Sequence, residues 1–226
     1  MNITYYGHSC FMVELASCKI LFDPFISPNE LAKSIAMESI MPDYIFVSHA
    51  HEDHIADLLT IAKQSNAKVV AVWEIYTWLT KQGIENTHPV NTGGFVKFPE
   101  FSVQIIHADH SSSFPDGTYG GNPVGFVINT KKKAFYYSGD TALFKDMKLI
   151  PKRHKIDLAF LPIGSNFTMD AEDASIAAGW LGVHKVIGMH YDTFGLIKID
   201  HNDSIQIFKH KGIELVLMDI GSNLTL

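Results

Sequence analysis

Short apolar runs bounded by turn formers recur along this chain, and between them lie stretches whose apolar residues return every three or four positions. The runs predict strands over residues 3–6, 11–15, 19–22, 44–47, 69–72, 103–106, 124–128, 135–137, 158–161, 186–189 and 215–218. Several are β-branched or aromatic and apolar on both faces, as buried central strands are. Helices are predicted over 55–64, where Ile55, Leu58, Leu59 and Ala62 share a face, and over 74–82, closed by Gly83. A third starts at Asp170, an N-cap with Asp173 three residues on, and ends near Leu181 before Gly182; a fourth covers 203–210 before Gly212. Mixed strands and helices indicate an α/β or α+β class. No Gly/Ser-rich or Pro-rich linker, low-complexity tract or repeat divides the chain, so one domain over 1–226 is expected.

Composition narrows the function. The chain has 226 residues, 46% of them hydrophobic, which is enough for a sizeable core. The formal charge is −6, and Arg153 is the sole arginine, so guanidinium clamps for phosphates and base edges are missing and nucleic acid is not an expected partner. The clusters at Lys131 to Lys133 and from Lys145 to Lys155 read as solvated turns or helix faces. Cys10 and Cys18 form no metal or redox motif and suit a reducing compartment; no signal-like start or membrane-length apolar stretch is seen, so a cytoplasmic protein without membrane insertion is expected. Self-association into a homo-oligomer follows only from its general frequency. Twelve histidines are the compositional excess that needs explaining.

Three of them stand in Ser48-His49-Ala50-His51-Glu52-Asp53-His54, between a predicted strand and a helix. At this composition the H-x-H-x-D-H spacing arises by chance at roughly 10⁻⁵ per starting position. Imidazole nitrogens and a carboxylate suit zinc, manganese or iron. His49 and His51 diverge from Asp53 and His54 as extended chain enters the helix, so two ions rather than one are expected. Further ligands are offered by His110, Asp140 and His190, each just past the carboxyl end of a predicted strand, where ligands of parallel and mixed sheets gather.

This ordered series resembles the metal set of the metallo-β-lactamase superfamily, and it spans most of the chain. The resemblance implies a single-domain αββα four-layer sandwich, with His49, His51 and His110 on a first metal, Asp53, His54 and His190 on a second, and Asp140 bridging. Unlike the secreted β-lactamases, this chain has no signal peptide and no cysteine in the second metal set. Gly7-His8-Ser9, Asp23-Pro24, Gly120-Gly121-Asn122-Pro123, Ser138-Gly139-Asp140-Thr141 and Met189-His190-Tyr191 look like the small cytosolic branch of metal-dependent hydrolases related to ascorbate-6-phosphate lactonase.

Individual positions carry competing readings. Spacing alone does not choose between His107 and His110 as third ligand; His110 is preferred because it follows the strand, and His107 is read as a core or supporting histidine. Asp140 reads as a ligand or as a turn aspartate capping Ala142 onward, with the ordered series favouring the ligand. Asp23 is either a turn residue or a carboxylate orienting a ligand imidazole. His8 is either a substrate contact or an ordinary loop histidine. Gly120 and Gly121 either admit substrate to the backbone or are loop glycines. Asn166, Thr168, Tyr191 and Phe194 are substrate-pocket candidates by resemblance, whereas His88, His107, His154, His184, His201 and His210 receive no role.

The chemistry expected is hydrolysis of a lactone, ester or phosphoester of a small metabolite by hydroxide held between two divalent ions, zinc first and manganese or iron as alternatives. Asp53 is the expected catalytic carboxylate, orienting that hydroxide or passing its proton to the leaving group. A phosphodiesterase or nuclease acting on nucleotides or RNA is the alternative; it is disfavoured because the chain leaves little room for an RNA-gripping arm. A di-iron redox protein is a further alternative, disfavoured because such members carry a carboxylate where His51 stands and depend on a flavin domain.

Overall fold

Each apolar run becomes a strand in the computed structural model, which describes residues 1–226. In chain order the elements are β1 (Asn2–Gly7), β2 (Cys10–Glu14), β3 (Lys19–Phe22), β4 (Tyr44–Phe46), α1 (Glu52–Ile55), α2 (Leu58–Ser65), β5 (Lys68–Val72), α3 (Trp73–Lys81) and β6 (Thr87–Val90). There follow β7 (Phe95–Lys97), β8 (Ser102–His107), β9 (Val124–Asn129), β10 (Ala134–Tyr137), β11 (Leu158–Pro162), α4 (Ala171–Leu181), β12 (Lys185–Met189), α5 (His201–His210), β13 (Glu214–Val216) and β14 (Asn223–Thr225). The chain builds two units, one from residues 1–92, 111–123 and 218–226, the other from 93–110 and 124–217.

Each unit holds one seven-stranded mixed sheet, ordered β14-β1-β2-β3-β4-β5-β6 in the first and β13-β12-β11-β10-β9-β8-β7 in the second. With their helices these sheets supply the β and α layers of the αββα class. The pairing scheme is the same in both. From β14 to β3 neighbours are antiparallel and from β3 to β6 parallel; from β7 to β10 they are antiparallel and from β10 to β13 parallel. The sequence showed no repeat because the correspondence lies in the pairing. In each sheet the strand at the changeover, β3 or β10, is followed by a buried aspartate, Asp23 after β3 and Asp140 beyond β10. Loops at the carboxyl ends of parallel strands are where such sheets gather ligands.

Three strands escaped the sequence reading: β6, β7 and β14, each at the edge of its sheet. Edge strands are short and half solvated, so they lack the apolar run that marks a central strand. In β6, Pro89 is tolerated for the same reason.

The helices follow their predicted faces with shifted ends. Leu58, Ile61 and Ala62 of α2 and Ile75 and Leu79 of α3 are buried at helical spacing. The predicted helix over 55–64 is two pieces, because Asp57 interrupts it to serve the loop after β3: its carboxylate accepts from the amides of Ile26 and Ser27 and from the Ser27 hydroxyl. For α4 the prediction holds at both ends, with Asp170 accepting from the Asp173 amide at 2.9 Å and Gly182 left-handed at φ 69°. Asp200 caps α5, so that helix starts two residues before its predicted beginning. No helix follows Asp140 directly; a 3-10 helix begins only at Lys145, which removes the capping reading. Cys10 and Cys18 are both buried and form no disulfide, and burial pushes the Cys10 thiol far up. No helix is long and apolar enough to cross a membrane.

One histidine without a predicted role couples the second unit to pH. His154 is buried and its Nδ1–H donates to Asn129 Oδ1 at 3.2 Å; burial first, then the neighbouring Arg153 charge, hold its pKa below the ordinary histidine value. As pH falls through about 6.5 the unfolded chain takes up a proton that the folded chain refuses, so this residue removes stability on the acid side. His154→Gln should therefore show a smaller drop in urea midpoint between pH 7 and pH 5 than the parent. Equal drops would show that His154 contributes nothing to the acid sensitivity.

Candidate metal centre

In the first unit the donors are fixed by the turns after β3 and β4. Asp23, fully buried and left-handed at φ 41°, accepts from the Ser48 amide at 2.7 Å, from the Ser48 hydroxyl at 2.6 Å and from His54 Nδ1 at 2.8 Å. A carboxylate only accepts, so His54 carries its proton on Nδ1 and keeps a lone pair on Nε2. The Ser48 hydroxyl spends its single proton on Asp23 and can only accept from His49 Nδ1, 2.9 Å away. His49 is thereby also protonated on Nδ1, with its Nε2 lone pair facing His51 Nδ1 at 3.0 Å. A chain of hydrogen bonds from one buried carboxylate thus sets the tautomers of two candidate ligands, the usual work of groups behind a metal site.

Asp53 stands on α1 with its side chain 26% exposed; its Oδ2 lies 3.0 Å from His8 Nε2 and 3.9 Å from His54 Nε2. The ligand atoms of His8, Asp53 and His54 fall within 4.8 Å of one another. The segment 111–123 packs beside this turn. Ser112 Oγ accepts from the Ala50 amide at 3.2 Å, and Ser111 Oγ is 3.5 Å from His51 Nε2. A Cβ on Gly120 would come within 2.3 Å of Ala50 Cβ, and one on Gly121 within 2.5 Å of Glu74 Oε2. These glycines therefore admit the chain's own residues to the backbone, which accounts for them without a substrate.

In the second unit the donors surround Asp140. This carboxylate is 2% exposed, with Oδ2 at 2.9 Å from His190 Nε2 and 3.7 Å from His110 Nε2. His110 is held there by two bonds on its neighbour: Asp109 N–H donates to Thr141 Oγ1 at 3.0 Å, and Ala142 N–H donates to Asp109 C=O at 2.9 Å. His190 follows β12 in a left-handed conformation, φ 56°. A Cβ on Gly164 would lie 2.0 Å from the His190 carbonyl oxygen, so only glycine lets the loop after β11 close over it. Non-glycine residues at such φ cost on the order of 1 kcal/mol or more and persist where their surroundings over-determine them. His8, Asp23 and His190 are three of the seven in this chain.

The predicted ligands thus form two groups, His49, His51, Asp53 and His54 in the first unit and His110, Asp140 and His190 in the second. His107 ends β8 exposed, its ring edge-on to Phe144 at 5.3 Å, so the reading of it as a core histidine is wrong. Asn166 and Phe167 are exposed and Thr168 partly so, on a loop whose Ser165 and Asn166 are both left-handed. Tyr191 is instead 6% exposed and packs in the hydrophobic core, which leaves it little surface for a substrate. Phe194, by contrast, is 40% exposed. His201, given no role, pairs with Asp192 at 2.6 Å. Ser48, quoted with the histidine run, was given no role of its own; its place directly before that run was the one available signal.

The profile of the β-lactamase superfamily domain matches residues 19–191, which takes in every predicted metal ligand. The chain belongs to that superfamily. Among curated relatives, a UPF0173 metal-dependent hydrolase of Flavobacterium johnsoniae is 51% identical over 226 residues, covering 100% of both chains. Another, from Methylacidiphilum infernorum, is 45% identical with the same coverage. Among solved structures, Igni18, a metallo hydrolase from the archaeon Ignicoccus hospitalis, superposes with a TM-score of 0.90 at 36% identity, covering 99% of this chain and 97% of that one. This member of the superfamily is accordingly a metal-dependent hydrolase. Its donor chemistry fits that class: in the first unit His49 and His54 are locked in the tautomer that leaves Nε2 unprotonated, as a cation requires.

Proposed function

We propose that the chain hydrolyses a lactone or ester of a small metabolite at a centre of two divalent ions, zinc in the first instance. His49, His51 and His110 would hold the first ion, Asp53, His54 and His190 the second, with Asp140 shared. The observation that carries the reading is the Asp23–Ser48–His49 and Asp23–His54 hydrogen-bond chain, which spends a buried carboxylate on presenting two imidazole lone pairs. A nitrogen-rich set with carboxylates suits zinc.

When bound, such ions acidify water and polarise a carbonyl oxygen. The protein's own part is placement. Asp23 and Ser48 fix the imidazole rings of His54 and His49. Asp53, the only partly exposed carboxylate of the first-unit group, is the residue able to orient the attacking water and to pass a proton to the leaving oxygen. Asn166 and Thr168 are the proposed substrate contacts, on a loop tied down where Met169 N–H donates to Thr141 C=O at 3.1 Å.

The choice of lactone or ester over phosphoester rests on the cations. Residues 47–57, 108–123, 138–144, 163–170 and 190–197, which contain all the proposed ligands, include no lysine or arginine, Lys145 and Lys198 following directly on two of them, while Asp109, Asp116, Asp170 and Asp192 stand among them. To a phosphoryl group these segments offer no guanidinium, and ammonium groups only from Lys145 and Lys198 directly beyond their ends. The test is elemental analysis of the purified protein, followed by chromogenic lactones, esters and phosphodiesters assayed with and without chelator. Two ions per chain and chelator-sensitive ester or lactone hydrolysis, restored by zinc, are expected. Phosphodiesters turned over fastest would overturn the substrate assignment.

A further inference from the structure

We propose that His8 is a positioning residue for Asp53, holding that carboxylate in the orientation that the second ion requires. The inference rests on the proposed ligand role of Asp53 and extends it to a residue 45 positions away in the chain.

His8 lies in the turn between β1 and β2, where Gly7 has φ 105° and the β1–β2 register shifts between Tyr5 and Gly7. An ordinary residue in such a turn is polar, solvated and replaceable by asparagine or glycine. His8 is 1% exposed, although its backbone is left-handed at φ 56°. Its carbonyl accepts from the Tyr5 hydroxyl at 3.2 Å, and its ring stands edge-on to Phe25 and His54, with centroids 5.5 and 5.6 Å away. Backbone and ring are both held, and what they aim is Nε2, 3.0 Å from Asp53 Oδ2.

A carboxylate accepts only, so Nε2–H is the donor. Asp53 needs such a partner because α1 is four residues long and its side chain reaches solvent, where an unsupported carboxylate samples several rotamers. With Oδ2 tied to His8, the carboxylate keeps one orientation beside His54 Nε2. This is the relation that Asp23 has to His54 with donor and acceptor exchanged: there a carboxylate orients an imidazole, here an imidazole orients a carboxylate.

Two variants of similar length separate the hydrogen bond from the packing. Gln at position 8 retains an N–H donor; Met fills comparable volume without one. Zinc titrations of metal-depleted parent, His8→Gln and His8→Met against a chromogenic chelator give each ion's affinity, and circular dichroism melts of the metal-free chains report the fold. Expected are a 10–100-fold weaker second ion in His8→Met, an unchanged first ion, and substantial recovery in His8→Gln, with similar metal-free melts for both variants. Parent-like second-ion affinity in His8→Met would overturn the proposal. So would equal losses in both variants, which would mean that the imidazole itself is needed as a ligand. A parent that binds fewer than two ions would overturn the dinuclear reading instead.

Discussion

Asp53→Ala should fold nearly as the parent does and lose turnover by a factor on the order of 10²–10³ or more, the scale of removing one preorganised electrostatic group from an active site. The carboxylate is 26% exposed and sits on a short helix, so its removal leaves no cavity in either core. The structural cost is the acceptor lost by buried His8, about 1–3 kcal/mol. At this chain length that lowers the thermal midpoint by less than roughly 10 °C. The measurement is kcat on the best lactone or ester from the substrate panel, beside a melt of each protein. Undiminished hydrolysis by Asp53→Ala would take Asp53 out of the chemistry, and an unfolded variant would contradict its placement at the surface of the first unit.

Asp23 should behave in the opposite way. It is buried, and three donors converge on it, so Asp23→Ala leaves the Ser48 amide, the Ser48 hydroxyl and His54 Nδ1–H without this acceptor. Breaking a buried charged network from one side costs roughly 3–5 kcal/mol. Alanine at φ 41° adds strain that asparagine tolerates better. A thermal midpoint lower by on the order of 10 °C or more is expected for Asp23→Ala. Asp23→Asn should keep more of the fold, yet bind metal about 10–100-fold more weakly. An amide N–H turned toward His54 favours the proton on Nε2, the wrong nitrogen for a cation. Calorimetry and zinc titration of both variants check this; parent-like zinc affinity in Asp23→Asn would show that the tautomer of His54 is set elsewhere.

Set side by side, the two aspartates show how far a linear reading reaches. Asp53 belongs to a dense local motif, and its type and spacing announce a metal. Asp23 is a single carboxylate before a proline, and nothing near it says that it will meet His54, 31 residues on. His8 is the same case. Its sequence context allowed a substrate contact or a loop histidine, whereas folding buries it against Asp53, a role that neither reading contained.

The central strands were legible because burial on both faces demands continuous apolar runs, and the ends of α4 because capping is local hydrogen bonding between residues three apart. The edge strands β6, β7 and β14 were not, since half-solvated strands owe their existence to a neighbour. The break between α1 and α2 was likewise invisible, because Asp57 leaves its helix to serve amides at Ile26 and Ser27. The sequence by itself determined the mixture of central strands and helices and the histidine-rich turn after β4. Only the tertiary structure decided which nitrogen of His49 and of His54 carries the proton, through Asp23 and Ser48, and that His8 meets Asp53. Periodicity and spacing record what a residue does for its own element. Side-chain hydrogen bonds between distant turns leave no such record, and they exist only once the sheets bring those turns together.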